Sequence, residues 1–249
     1  MRPFFTAQWR SLALFNYRVD PAVLSPLPPR GTELDRWQGE TYLSLVGFRF
    51  LDTRVLGFAM PLHRDFPEIN LRFYVRRVVG GETRRGVVFI RELVPRVAIT
   101  WVARALYNEP YRTVSMRYDA SGAGAAGESL SYSWRTAGRW HRLAAAAENK
   151  TTPSAPGSEE EFFAEHHWGY TRQRDGGTIE YRVEHPRWSL ATANHAALEG
   201  DPEPTYGPTF GPILRERPAS AFVAAGSAVA VYRGVRLPVA GLAPRPARI

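Results

Sequence analysis

The stretch Ile69-Asn-Leu-Arg-Phe-Tyr-Val-Arg76 alternates without a break, and it sets the first limit on what this chain can form. Ile69, Leu71, Phe73 and Val75 fall on one side, and Asn70, Arg72, Tyr74 and Arg76 on the other. A period of two fits an extended strand and no helix. Gly80-Gly81 then reads as a hairpin turn, and Gly86 to Leu93 as the returning strand. Thr41 to Phe50 repeats the pattern in part, with Tyr42, Val46, Phe48 and Phe50 on one face and Ser44 as the exception. Further strands are expected at Gln8–Val19, Arg112–Tyr118, Leu130–Trp134, Trp140–Ala147, Thr178–His185 and Ala221–Tyr232. The 21 glycines and 20 prolines are spread along the chain, as suits many strands joined by turns.

Helical signals are few. Asp20 can cap a turn that starts at Pro21. Val97 to Tyr107 has helical spacing between Pro95 and Pro110. Ser158-Glu-Glu-Glu161 is a capping box that opens a helix running to about His166. Asp52 to Pro67 reads as a long loop. A length of 249 residues allows one large β domain or two small ones. The strand order points to a mainly β barrel, antiparallel, with short helices packed outside.

Composition excludes several classes. The chain has no cysteine, so it holds no disulfide scaffold, thiolate metal site or cysteine nucleophile. The longest apolar run, Ala221–Tyr232, is interrupted by Gly226-Ser227 and is shorter than the ~20 residues a bilayer span needs. No apolar region follows Met-Arg-Pro-Phe-Phe-Thr, so no signal peptide is expected. The expected location is the cytoplasm. The net charge is +8 and the pI about 10.1, but the arginines are scattered, with no basic tail. Lys150 is the sole lysine, a bias of the kind a GC-rich genome produces. Neither a nucleic-acid nor a membrane partner is expected.

Several longer motifs carry a family resemblance. They are Trp9-Arg10-Ser-Leu-Ala-Leu-Phe-Asn-Tyr17-Arg18-Val-Asp20 and Pro28-Pro29-Arg30-Gly31-Thr32-Glu33-Leu34-Asp35, then Ser44-Leu-Val-Gly-Phe-Arg-Phe50 and Asn70-Leu-Arg-Phe-Tyr-Val75. To these are added His166-His-Trp-Gly-Tyr170 and Glu184-His-Pro-Arg-Trp188. Together they resemble domain-of-unknown-function family 2071, of the acetoacetate decarboxylase-like superfamily. The resemblance spans nearly the whole chain. It implies one domain over residues 1–249: a cone-shaped antiparallel β-barrel with a ligand cavity inside and helices around it. Arg10 and Arg18 match the spacing of a conserved pair in the decarboxylases' first strand, which implies Arg10 as a grip for a substrate carboxylate. Tyr111 stands where those enzymes have the imine-forming lysine, and Arg112 where they have its cationic neighbour.

That departure decides one point of chemistry. Imine formation needs a neutral amine, such as a lysine activated by a cationic neighbour. Tyrosine cannot form an imine, and arginine stays protonated. Lys150 lies among Asn, Thr, Pro and Ser with nothing in sequence to desolvate it. The chain is therefore expected to lack imine-based decarboxylation, and no acidic residue aligns with the decarboxylases' catalytic glutamates.

The remaining candidates each carry two readings. Tyr111, His185 and His63 are candidate acid–base groups. His185 ends a strand face that bears Ile179, Tyr181 and Val183, so it either bonds a backbone carbonyl or faces a cavity. His63 lies in a loop, as a surface residue or a functional one. Arg10, Arg72, Arg112, Glu109 and His166 are candidate ligand-binding groups. Arg72 faces lumen or solvent. Glu92, Glu109 and Glu165 are the acids best placed to neutralise a buried arginine. His166 and His167 point about 100° apart on a helix and do not hold one ion together; no metal site and no cofactor are expected. Ser227 lacks the Gly-x-Ser-x-Gly context of a nucleophile. Two functions stay open: an enzyme acting on a small carboxylated or enolisable molecule, or a barrel that binds a small ligand without chemistry. A small organic anion is the expected partner, and nothing in the sequence excludes a homo-oligomer.

Overall fold

A computed structural model of the chain describes residues 2–59, 64–97, 108–122 and 125–238. Seven strands run side by side and close on themselves. Ser220–Val231 lies against Phe5–Val19, followed in space by Thr41–Val55, Phe66–Val79, Glu82–Val94, Trp168–Arg172 and Thr178–Glu184. Thr178–Glu184 pairs back onto Ser220–Val231 through Val183 and Val231, which completes the barrel. The pairings are antiparallel except at one joint, where Trp168–Arg172 runs parallel to Glu82–Val94. Closure leaves no free edge around the ring.

The wall is apolar on both sides. Its outer face is covered by a second sheet, in the order His195–Glu199, Arg139–Ala147, Glu128–Thr136, Met116–Ser121. Tyr132, Trp134 and Leu143 of that sheet pack with Phe15, Leu45, Leu71 and Phe73 of the wall. The Tyr132 hydroxyl donates to the Ser11 carbonyl, and Trp134 Nε1 donates to Thr205 Oγ1 at 3.1 Å. The lumen side carries Tyr42, Val46, Phe48, Phe50 and Phe66. The helix Glu159–Ala164 adds Phe162 and Phe163 to that inner cluster. The four expected partners Tyr42, Val46, Phe48 and Phe50 thus share one inner face. Ser44 joins that face as a polar member, with its hydroxyl between Asn16 Oδ1 at 2.6 Å and the Tyr74 hydroxyl.

Several boundaries differ from expectation for identifiable reasons. The expected loop from Asp52 to Pro67 is partly strand: one strand runs on to Val55, and Phe66-Pro67-Glu68 already belongs to the next. The expected strand Arg112–Tyr118 is two pieces, Tyr111–Thr113 and Met116–Ser121, which serve different sheets. A helical segment at Glu203–Arg215 was not expected, because Gly207, Pro208 and Pro212 interrupt it and Gly207 breaks it at φ 80°. The expected helix at Val97–Tyr107 and residue His63 lie outside the described residues, save Val97 at its start.

Candidate functional site

Two bulges aim side chains into the barrel. In the first strand Ser11 adopts φ 55°, and the pairing register shifts between Arg10 and Ala13. Trp9 and Leu12 therefore both face inward. Between the strands Phe66–Val79 and Glu82–Val94 the register shifts after Leu71, with Leu71 opposite Arg91 and Arg72 opposite Phe89. Ile90 is the extra residue, so Phe89 and Glu92 both reach the lumen. Beyond this bulge, Val46, Asn70, Glu92 and Tyr111 stand in one row across four strands.

The lumen holds a cavity of about 230 Å³. Trp9, Phe48, Phe50, Phe66, Phe89 and Trp188 belong to its apolar wall. Its polar lining among the described residues is Thr53, Glu68, Asn70, Arg72, Glu92, Glu109, Tyr111, His166, Tyr181 and His185. Three carboxyl groups in one apolar cavity are its distinctive feature. Glu68, Glu92 and Glu109 are exposed by only 2%, 2% and 7%. The Tyr111 hydroxyl donates to Glu68 Oε2 at 3.0 Å and also reaches Glu92. Asn70 Nδ2 donates to the other Glu68 oxygen at 3.1 Å. Thr171 Oγ1 and the Tyr181 hydroxyl, the latter at 2.9 Å, both donate to Glu109 Oε1. Glu92 Oε2 and Asn70 Oδ1 meet no hydrogen-bond partner among the described residues.

Burial governs the protonation of this group. It raises Glu68 to about 7, against the hydrogen bonds from Asn70 and Tyr111, with the charge of Glu109 adding to the rise. Burial likewise raises Glu109 to about 7, against the donors Thr171 and Tyr181. Glu92 lies well above the ordinary carboxyl range, through burial first and then the charges of Glu109 and Glu68. Burial also pushes the Tyr111 phenol up, so it stays a hydroxyl. Around neutral pH the cavity thus contains two carboxyls in the course of titration, a third that burial holds toward its protonated form, and a fixed phenol donor. Such pairs of environment-shifted groups are the equipment of proton transfer.

The structure brings Tyr111, Glu109, His166, His185 and Arg72 to the cavity. His185 stacks on Trp188 at 4.4 Å and lies beside His167 at 4.7 Å, with Nδ1 at 2.9 Å from the Pro186 carbonyl oxygen. Arg72 turns to the lumen, and its Nη2 donates to the Phe163 carbonyl at 3.1 Å. Arg10 does not join them. The bulge at Ser11 leaves it facing away from the cavity, where its guanidinium donates to the Gly226 carbonyl and to Gln8 Oε1 at 3.0 and 2.8 Å. Arg112 is exposed, because its neighbour Tyr111 takes the inward position on the strand. Glu92 and Glu109 form no ion pair with an arginine among the described residues. Glu68 and Tyr181 escaped the sequence reading as site residues. Glu68 fell between the loop expected to end at Pro67 and the strand expected to start at Ile69, and Tyr181 in an apolar strand face that proves to face the lumen.

Gly169 shows how tightly the tyrosine is held. It lies opposite Tyr181 in the ladder, and a Cβ there would come within 2.1 Å of the Tyr181 ring. Gly169→Ala must push that ring off Glu109. The expected result is a loss of about 1–3 kcal/mol of stability, read by urea melts, with weaker binding of any cavity ligand.

Lys150, the single lysine, is exposed, and no lysine lines the cavity. Among the described residues no three His, Asp or Glu side chains are arranged to hold a metal ion. No described helix is long and apolar enough to cross a membrane.

Comparison with known proteins agrees with this architecture. An acetoacetate decarboxylase from Legionella pneumophila superposes with a TM-score of 0.68 at 13% identity, over 95% of this chain and 88% of that one. The enduracididine biosynthesis enzyme MppR, complexed with the condensation product of pyruvate and imidazole 4-carboxaldehyde, gives 0.63 at 13% identity, over 95% and 90%. An acetoacetate decarboxylase-like enzyme from Sphingomonas wittichii RW1 gives 0.61 at 13%, over 95% and 94%. At such identities the likeness establishes the fold. The uncharacterized protein YqjF of Bacillus subtilis is 28% identical over 116 residues, which is 46% of each chain, so the match spans under half of that relative. Residues 6–228 match the family DUF2071, described as an uncharacterized conserved protein, and the chain belongs to that family, built on the acetoacetate decarboxylase fold.

Proposed function

We propose that this protein catalyses proton transfer at the carbon beside a carbonyl group, in a small and largely apolar compound, without forming an imine. The observation that carries the reading is the Tyr111 hydroxyl standing between the Glu68 and Glu92 carboxyls in the cavity. A carbonyl oxygen placed against Glu92 meets an acid that still holds its proton. The Glu68 carboxylate takes the α-proton, the C–H pair becomes the C=C bond, and the carbonyl π pair moves to oxygen as that oxygen receives the Glu92 proton. Tyr111 ties the base and the acid together. General acid–base catalysis is most effective when the groups titrate near the working pH, as Glu68 does.

Charge argues about the ligand as well. Among the described residues Arg72 is the one arginine that lines the cavity, against three carboxyls. A permanently anionic substrate gains little there, whereas an enolate formed in place takes its proton from Glu92. A carboxylated ligand enters only if it can reach Arg72 while the glutamates stay protonated. The aromatic wall supports a second reading, a barrel that binds an apolar ligand without reaction.

The test is deuterium incorporation in D₂O, followed by ¹H NMR, for a panel of methyl ketones, β-diketones and β-keto acids. Catalysed exchange at the α-carbon, lost in Glu68→Gln, is the expected result. Saturable binding with no exchange for any compound would leave the binding barrel in its place.

A further inference from the structure

His166 is a lumen residue that the carbonyl chemistry leaves unused. Its ring lies between Tyr74 and Phe162, with centroids at 4.6 and 5.2 Å. Nε2 faces Asp35 Oδ2 at 3.4 Å, and the two side chains are only 2% and 3% exposed. Asp35 is itself fixed. Arg85 Nε and Nη2 reach its two oxygens at 2.7 and 3.2 Å, and the Arg36 backbone N–H donates to it at 3.0 Å. Burial alone would raise this carboxyl, but the hydrogen bonds from His166 and Arg85 outweigh it and hold it at about 2. An ionised carboxylate only accepts, so the hydrogen between the pair belongs to Nε2. Burial lowers the imidazole to about 4, although Asp35 opposes the change, so the ring is neutral at physiological pH. Its second nitrogen, Nδ1, is then a bare lone pair. It is buried and meets no hydrogen-bond partner among the described residues. A buried acceptor left unpaired costs free energy until a ligand or water donates to it.

We propose that His166 Nδ1, oriented by Asp35, is a ligand-recognition acceptor, and that the ligand carries a hydroxyl or N–H donor on its apolar body, separate from its carbonyl. The inference takes the carbonyl end from the function proposed above and adds the other end. Arg72 couples the two ends electrostatically: its charge lowers both Glu68 and His166. Asp35 is a positioning residue, since it fixes the tautomer and does not line the cavity.

The tautomer is read first, in the ligand-free protein, by ¹H–¹⁵N NMR of the His166 ring; hydrogen on Nε2 is expected. Three probes are then titrated by calorimetry: 4-hydroxyacetophenone, its methyl isostere 4-methylacetophenone, and 4-acetylpyridine. The hydroxyl compound should bind about tenfold tighter than the methyl compound, as one satisfied buried acceptor implies. His166→Phe should erase that difference. Asp35→Asn is the stricter variant. The carboxylate oxygen that faces Nε2 also accepts from Arg85 Nε, so Asp35→Asn is combined with Arg85→Met; with the Arg36 N–H holding the amide oxygen, the amide N–H donates to Nε2 and drives the ring hydrogen to Nδ1. Preference should then pass to 4-acetylpyridine, whose ring nitrogen accepts. If this double variant does not fold, the wild-type tautomer and the His166→Phe ratio decide. Hydrogen on Nδ1 in the wild type, equal binding of the hydroxyl and methyl compounds, or no binding by any of the three would overturn the proposal. The carbonyl reading fails separately, through absent α-deuteration, because the tautomer requires no carbonyl.

Discussion

Tyr111→Phe is expected to slow α-proton exchange by about 10²- to 10³-fold, within the range that one acid–base group contributes. The phenol ring stays, so the strand Tyr111–Thr113 and the wall around it keep their packing. Only the hydroxyl between Glu68 and Glu92 is lost. Glu68 then lacks the donor that favours its ionised form, and its proton is held more tightly. The base becomes scarcer at pH 7 and its link to the acid is gone. The exchange rate should therefore recover in part as pH rises, which a merely structural role would not produce. An unchanged rate and pH profile would remove Tyr111 from the chemistry.

The second large effect is on stability. Glu92→Gln should melt at about the same temperature as the parent at pH 5 and higher at pH 8. For a carboxyl whose folded pKa is raised, the unfolded chain releases its proton from about pH 4.5 upward while the folded chain keeps it. Stability therefore falls as pH rises, and the loss is complete only above the folded pKa. Glu68, Glu92 and Glu109 all carry this sign, with Glu68 and Glu109 releasing near 7. His166 and Asp35 act at the other end. Stability is lost as pH falls from 6.5 through about 4 for His166, and from 3.8 toward 2 for Asp35. Three raised carboxyls outweigh one lowered imidazole above about pH 4.5, so the parent should be most stable between about pH 4 and 4.5. Glutamine keeps the shape of a protonated glutamate and removes one charge from the cluster. A gain of about 2 kcal/mol at pH 8 is expected, or roughly 4–8 °C for a chain of this size. A melting temperature that falls at pH 8 would mean that Glu92 is ionised and paired.

The sequence revealed faces more readily than depths. The alternation Ile69–Val75 placed Asn70, Arg72 and Tyr74 on one side, and that side is the lumen. Tyr181, Val183 and His185 kept their shared face for the same reason. What alternation could not show is a wall buried on both sides: Leu12 to Tyr17 is buried throughout, so its pattern looks continuous. Nor could it show the bulges. A single extra residue at Ser11 turns Arg10 outward, and another at Ile90 turns Glu92 inward. Arg10 was therefore valued by spacing alone, while Glu92 read as a salt-bridge partner. Glu68 was obscured by Pro67, which sits within a strand that sequence rules would end there. Asp35 and His166 lie far apart in the chain, and no local signal pairs them.

The central claim is that three glutamates share this cavity and stay protonated into the neutral range. Carboxyl-¹³C NMR titration of selectively labelled glutamate, assigned through Glu68→Gln, Glu92→Gln and Glu109→Gln, measures this directly. Two resonances titrating near pH 7 and a third displaced well above the ordinary carboxyl range are predicted, with each substitution lowering the apparent values of the remaining pair. Three glutamates titrating near the ordinary value of about 4.3 would contradict the account.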